Sequence, residues 1–149
     1  MNTSAQDVAP APLNPQTPHI LVVDDETSIF DVFALMFPAP GHVVAVAENG
    51  ARALQLAAEA RFDVAFVDCF LGIESGPEVA EKLHAVQPKL HVVLMSGYLQ
   101  EERAAAMEKA DARAFLMKPF SFETAQTLVR RLFGTKKPVA KAKAASEAV

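Results

Sequence analysis

Five short apolar runs constrain this chain more than any other feature. They are Ile20–Val23, Val43–Ala47, Val64–Val67, Val92–Met95 and Ala114–Met117. Each is apolar nearly throughout and too short for a helix, the pattern of a strand buried on both faces. A segment with helical spacing follows each run. Ile29, Val32, Phe33, Met36 and Phe37 share one spacing, which stops near Pro38-Ala-Pro-Gly41. Asn49-Gly50 opens a second helix with Leu54, Leu56 and Ala57. Pro77 suits the first turn of a third, with Val79, Leu83 and Val86 on one face and Pro88 beyond its end. Glu101 to Ala110 form an Ala-rich fourth, and Ser121 can cap a fifth carrying Ala125, Leu128, Val129 and Leu132. Strand and helix thus alternate five times. Short loops and right-handed crossovers turn that order into a doubly wound α/β fold, a five-stranded parallel sheet with helices on both faces.

The alternation occupies residues 19–133, read as one domain. Residues 1–18 contain Pro10, Pro12, Pro15 and Pro18 among small polar residues and read as a disordered arm. Residues 134–149 form a Lys/Ala-rich tail, net +3 from Lys136, Lys137, Lys141 and Lys143 against Glu147. With −1 from Asp7 in the arm, the total charge of −4 leaves −6 on residues 19–133, a poor match for nucleic acid, so direct DNA binding is not expected. No apolar run is long enough for a membrane span, and the N-terminus lacks a signal peptide's basic start and apolar stretch. Cys69 is the only cysteine, which rules out an internal disulfide and a cysteine zinc cluster. A cytoplasmic protein is expected.

In such sheets, ligands bind beyond the carboxyl ends of the strands. Asp24, Asp25 and Glu26 follow the first strand, Asp68 the third, Ser96-Gly97 the fourth and Lys118-Pro119 the fifth. Adjacent carboxylates repel, and one tends to keep its proton unless positive charge arrives. Taken singly, Asp68 reads as a loop acid or helix cap, Ser96-Gly97 as a turn and Lys118 as a surface lysine. Four acids, a hydroxyl and a lysine gathered at one sheet edge are harder to explain that way.

This arrangement resembles the receiver domain of two-component response regulators, the CheY-like variant of the flavodoxin-like fold. The matching elements are Asp24-Asp25, Asp68, Gly76 eight residues later, Ser96, and Phe115-Leu-Met-Lys-Pro-Phe120. The resemblance implies that Asp68 is a phosphoacceptor, a carboxylate nucleophile that becomes an aspartyl phosphate. It implies Mg²⁺ held by Asp24, Asp25, Asp68 and the backbone carbonyl of Phe70, hard oxygen ligands of the kind this ion favours. Bound there, the cation would answer the acidic cluster's repulsion. Lys118 and Ser96 would contact the phosphoryl group, with Ser96 and Phe115 forming the switch. A sensor histidine kinase or histidine phosphotransferase is the implied donor, and an unidentified downstream protein the implied target. A phosphorylation-dependent dimer is a further assembly the resemblance allows. The Lys118-Pro119 bond corresponds to one that is cis in the family.

Some positions depart from the family pattern. Gly72 stands four residues after Asp68, where many receivers have Pro, and the fourth helix ends near Lys109-Ala110-Asp111 without the frequent Gly. Phe70 and Tyr98 lie two residues after Asp68 and Ser96, where the family tunes phosphoryl hydrolysis. Two rings there would obstruct an attacking water, or simply be half-exposed apolar residues.

The function expected is a stand-alone phosphoacceptor switch, acting through a partner or a phosphorelay, with self-phosphorylation and self-dephosphorylation as its only chemistry. One alternative is a phosphohydrolase using an aspartyl phosphate, which wants its nucleophile after the first strand with an acid two residues later. Another is a pseudo-receiver that binds without phosphorylation. In the first helix, Val32, Phe33, Met36 and Phe37 are expected to face the sheet. That leaves Ile29 and Phe30 nearer solvent as a donor-docking or self-association patch.

Overall fold

The computed structural model describes residues 16–98 and 101–133. The expected arm, apart from residues 16–18, and the basic tail lie outside the described residues. Five parallel strands form the sheet: β1 (His19–Val23), β2 (Val43–Ala47), β3 (Val64–Asp68), β6 (His91–Ser96) and β7 (Ala112–Met117). Their order is β2-β1-β3-β6-β7. The direction of winding reverses between β1 and β3, so the ends of those two strands flank the crevice where such sheets hold ligands.

Helices α1 (Ser28–Met36) and α5 (Phe122–Leu132) cover one face, and α2 (Gly50–Glu59), α3 (Gly76–Val86) and α4 (Arg103–Ala110) cover the other. Alternate residues of each central strand feed opposite cores. Ile20, Val22, Phe66, Val93 and Met95 meet Phe33, Met36, Ala125 and Val129. Leu21, Val23, Ala65, Val67 and Leu94 meet Ala53, Ala57, Val79 and Leu83. Side-chain caps set the starts of α2, α3 and α5, where Asn49, Ser75 and Ser121 accept from the backbone amides of Arg52, Glu78 and Thr124.

Several expectations need correction. Only β1, β3 and β6 are buried almost throughout. In β2, Val43 and Val46 are exposed, and in β7 Met117 is, because these strands are the sheet's edges. Helix α4 starts at Arg103, two residues later than expected, and closes on Asp111 in a left-handed conformation at φ 52°, a role usually given to Gly. Val86 is exposed in the last turn of α3. In α1 the buried stripe is rotated from the one expected. Phe33, Met36 and Phe37 are buried, while Ile29 and Phe30, four and three residues before Phe33, pack half-buried on the same core. Val32 and Leu35 are the exposed apolar residues there, at 39% and 70%. Ile29 and Phe30 are therefore not the open patch the spacing predicts.

One element has no counterpart in the sequence reading. Between β3 and α3 the chain folds into a small antiparallel hairpin, β4 (Phe70–Leu71) and β5 (Glu74–Ser75), turning through Gly72 at φ +66°. Among the described residues, no helix is long and apolar enough to cross a membrane.

Candidate functional site

The carboxyl ends of β1, β3, β6 and β7 bring the expected residues together. Asp24 is fully buried. Its amide donates to the carbonyl of Ala47 at 3.1 Å, and its Oδ1 accepts from the amide of Glu26 at 2.9 Å. Asp25, next in the chain, points to solvent. Asp68 is buried at the end of β3, and its Oδ2 accepts from the amide of Phe70 at 3.0 Å. One carboxylate oxygen from each of Asp24, Asp25 and Asp68 lies within 4.8 Å of the others.

Lys118 reaches this cluster from the end of β7. Its amide donates to the carbonyl of Ser96 at 2.8 Å, and the peptide to Pro119 is cis, as the resemblance implied. The ammonium sits between the two buried acids, 2.7 Å from Asp24 Oδ2 and 2.8 Å from Asp68 Oδ1, with exposed Glu26 at 3.7 Å. Part of the repulsion among the acids is therefore balanced from within the chain. Burial pushes the Asp68 carboxyl above its ordinary value, against the opposing hydrogen bond and charge of Lys118. For Lys118, burial works against the charged form, but hydrogen bonds to Asp24 and Asp68 outweigh it and hold the ammonium above the ordinary lysine range.

Ser96 is buried, and its hydroxyl is already engaged. It accepts from the amide of Tyr98 at 3.0 Å and donates to that residue's carbonyl at 3.1 Å. Phe115 is half-buried against the α2–α4 core, with the Arg103 guanidinium 4.6 Å from its ring centre. The rings of Phe70 and Tyr98, 51% and 71% exposed, meet edge-on at 6.0 Å. They line a cavity of about 440 Å³ together with Asp24, Asp25, Glu26, Asp68, Gly72, Gly97 and Lys118.

Sequence reasoning missed Glu74 at this site. Its Oε1 accepts from the amide of Gly50 at 2.9 Å and so ties the hairpin to the start of α2. A lone glutamate in a loop gives no sequence signal of a partner 24 residues away.

Residues 20–130 match the family described as the response regulator receiver domain. Among curated proteins, the transcriptional regulatory protein ZraR of Klebsiella oxytoca is 32% identical over 107 residues, covering 72% of this chain and 24% of its own length. The alginate biosynthesis transcriptional regulatory protein AlgB of Pseudomonas syringae is 32% identical over 102 residues, covering 68% and 23%. The chain thus spans about a quarter of the length of these curated relatives. Among solved structures, a CheY-like receiver domain protein from Methanospirillum hungatei superposes with a TM-score of 0.72 at 27% identity, over 77% of this chain and 92% of that one. A response regulator from Burkholderia pseudomallei, solved with a phosphorylated aspartic acid, calcium ion and citrate, gives 0.69 at 28%, over 75% and 66%.

Proposed function

This chain belongs to the response regulator receiver family of two-component systems, and from that premise we propose that Asp68 accepts a phosphoryl group from a histidine kinase or histidine phosphotransferase in a Mg²⁺-dependent reaction. The product would signal by binding a partner protein or by passing the group on in a phosphorelay. The observation that carries the reading is the buried Asp68 carboxylate, which shares the Lys118 ammonium with Asp24 and lies within 4.8 Å of Asp24 and Asp25 oxygens.

Receiver domains bind Mg²⁺ at an acidic pocket, and the donor set here fits that ion. Three carboxylates offer hard oxygen ligands on a cavity wide enough to retain water. Asp24, Asp25, Asp68 and the Phe70 carbonyl are the residues that would hold it. When bound, the cation neutralises charge on the transferring phosphoryl oxygens. The chain's own groups do the rest. An Asp68 carboxylate oxygen forms the new bond to phosphorus while the phosphorus–nitrogen bond of the donor phosphohistidine breaks, and the electron pair leaves on the imidazole nitrogen. Lys118 moves from sharing two carboxylates to pairing with a phosphoryl oxygen. Ser96 must give up its bond to the Tyr98 carbonyl in order to donate to the phosphoryl group, an exchange of one hydrogen bond for a charge-assisted one. The Tyr98 carbonyl is thereby released, and Phe115, half-buried on the strand next to that of Ser96, would turn inward.

The test is incubation with acetyl phosphate and Mg²⁺, with the label located by mass spectrometry. Labelling of Asp68 that stops at one equivalent, and its loss in Asp68→Asn, is the expected result. Label in the Asn variant at a comparable rate would remove the assignment. Sustained turnover of the donor far beyond one equivalent, in place of a burst, would favour the phosphohydrolase.

A further inference from the structure

The loop between Asp68 and α3 is fixed at its base by ordinary means. The amide of Gly76 donates to the carbonyl of Cys69 at 2.9 Å, and Ser75 caps α3. Its outer part, the hairpin of β4 and β5, carries Phe70 and Gly72 along the wall of the acidic cavity. Here Leu71 pairs with Glu74, and the Glu74 side chain crosses to α2. Both of its carboxylate oxygens lie against Gly50. Oε1 accepts the Gly50 amide at 2.9 Å, and a Cβ at Gly50 would come within 2.8 Å of Oε2. That amide is one of the donors a helix leaves unpaired at its start, where the backbone dipole also favours negative charge. Asn49 serves a second such donor, so α2 has its own cap without Glu74.

We infer that Glu74 is a positioning residue for the metal: by clamping the hairpin onto the N-terminus of α2, it holds the Phe70 backbone carbonyl at the acidic cluster. The inference rests on the Mg²⁺ reading given under Proposed function. Phe70 is held on its amide side by Asp68; across the hairpin its partner Ser75 caps α3, and the next residue out, Glu74, ties the same strand to α2. Gly72 at φ +66° makes the turn easy to bend, so the clamp supplies rigidity that the turn itself lacks.

Glu74→Ala and Glu74→Gln are compared with the parent by calorimetric titration of Mg²⁺ and by amide hydrogen exchange of the metal-free proteins. The Ala variant should bind Mg²⁺ roughly tenfold more weakly, the usual scale for losing support behind a ligand. Its amides 70–74 should exchange several-fold faster, while those of β3 and β6 stay unchanged. The Gln variant keeps an acceptor oxygen and should stay within about twofold of the parent in Mg²⁺ affinity. Gly50→Ala tests the contact from the other side, because its Cβ would lie 2.8 Å from both Glu74 Oε2 and Val79 Cγ2 and must push one of them aside; with the Glu74 carboxylate displaced, Mg²⁺ binding should weaken as well. Faster exchange confined to the start of α2, with Mg²⁺ affinity unchanged in Glu74→Ala, would reduce Glu74 to a helix cap and overturn the inference. A parent protein that binds no Mg²⁺ would instead overturn the reading of the site, and the inference with it.

Discussion

Gly76 stands so close to Asp68 that a Cβ placed on it would lie 1.9 Å from the Asp68 carbonyl oxygen. The first residue of α3 and the last of β3 are therefore in backbone contact, and α3 can start where it does only because residue 76 has no side chain. The contact is with main chain, which cannot swing aside as a long side chain would. Gly76→Ala should cost about 3 kcal/mol of stability, the upper end of ordinary overpacking. It should also slow labelling of Asp68, since any relief moves the phosphoacceptor's own backbone. Urea denaturation and labelling by acetyl phosphate check both effects. An Ala variant with the parent's midpoint would show that the contact relaxes freely.

Lys118 sits between two buried carboxylates, and its removal should make stability depend on pH in a defined direction. Burial holds the folded Asp68 carboxyl above its ordinary 3.8. The folded state therefore binds that proton more tightly than the unfolded chain does. This favours folding in acid, and the contribution is lost as pH rises from 3.8 through the folded value. Lys118→Met removes the cation that opposes this shift, so the folded carboxyl should move further up and the window should widen. The variant should lose about 3 kcal/mol near neutral pH, the scale of breaking a buried pair, and less at about pH 5. Mg²⁺ should restore part of the loss at neutral pH and bind at least as tightly as in the parent, because Lys118 no longer competes for Asp24 and Asp68. Urea midpoints at the two pH values, with and without Mg²⁺, measure this. A loss independent of pH would show that the ammonium acts through packing alone.

Gln87 gives a prediction remote from the site. Its Nε2 donates to the carbonyls of Ala57 and Ala60 at 2.8 and 2.7 Å, and its Oε1 accepts the amide of Phe62 at 3.0 Å. One side chain thus closes the end of α2 and the start of the link to β3. Gln87→Ala should cost about 2 kcal/mol, since three backbone groups lose their partner and only some regain water. Gln87→Glu should also destabilise, because it removes the donors and places negative charge at a helix C-terminus. Labelling of Asp68 should be unchanged in both. Thermal melts set beside labelling rates test the separation.

Much of this architecture was legible in the sequence because strands buried on both faces leave continuous apolar runs. Ile20–Val23 and Val64–Val67 read correctly for that reason, and Asp24, Asp68 and Lys118 could be placed from their position just beyond such runs. The edge strands β2 and β7 carry similar apolar residues but expose part of them, and composition does not reveal which strand lies at an edge. The rotation of α1 was hidden by excess. With seven large apolar residues in Ile29–Phe37, several stripes fit equally well, and only packing against Phe66 and Val22 selects Phe33, Met36 and Phe37. The hairpin at Gly72 and the Glu74 clamp depend on a turn conformation and a long-range contact, neither of which has a periodic signature.

Phe70 and Tyr98 supply the last prediction, which concerns the lifetime of the phosphorylated state. Hydrolysis of an aspartyl phosphate needs a water in line with the bond to be broken, on the open side of Asp68. That side is the cavity lined by both rings, which meet edge-on at 6.0 Å. Their exposure, 51% and 71%, means that they spend apolar surface on solvent rather than on the core, a cost that shielding would explain. Replacing both with serine should speed loss of the label about fivefold, or about 1 kcal/mol in the barrier. The single variants should fall between parent and double variant if the two rings act as one screen. Decay is followed by mass spectrometry after removal of the phosphodonor with Mg²⁺ kept constant. A double variant that keeps its label as long as the parent, or longer, would show that water reaches Asp68 by another path.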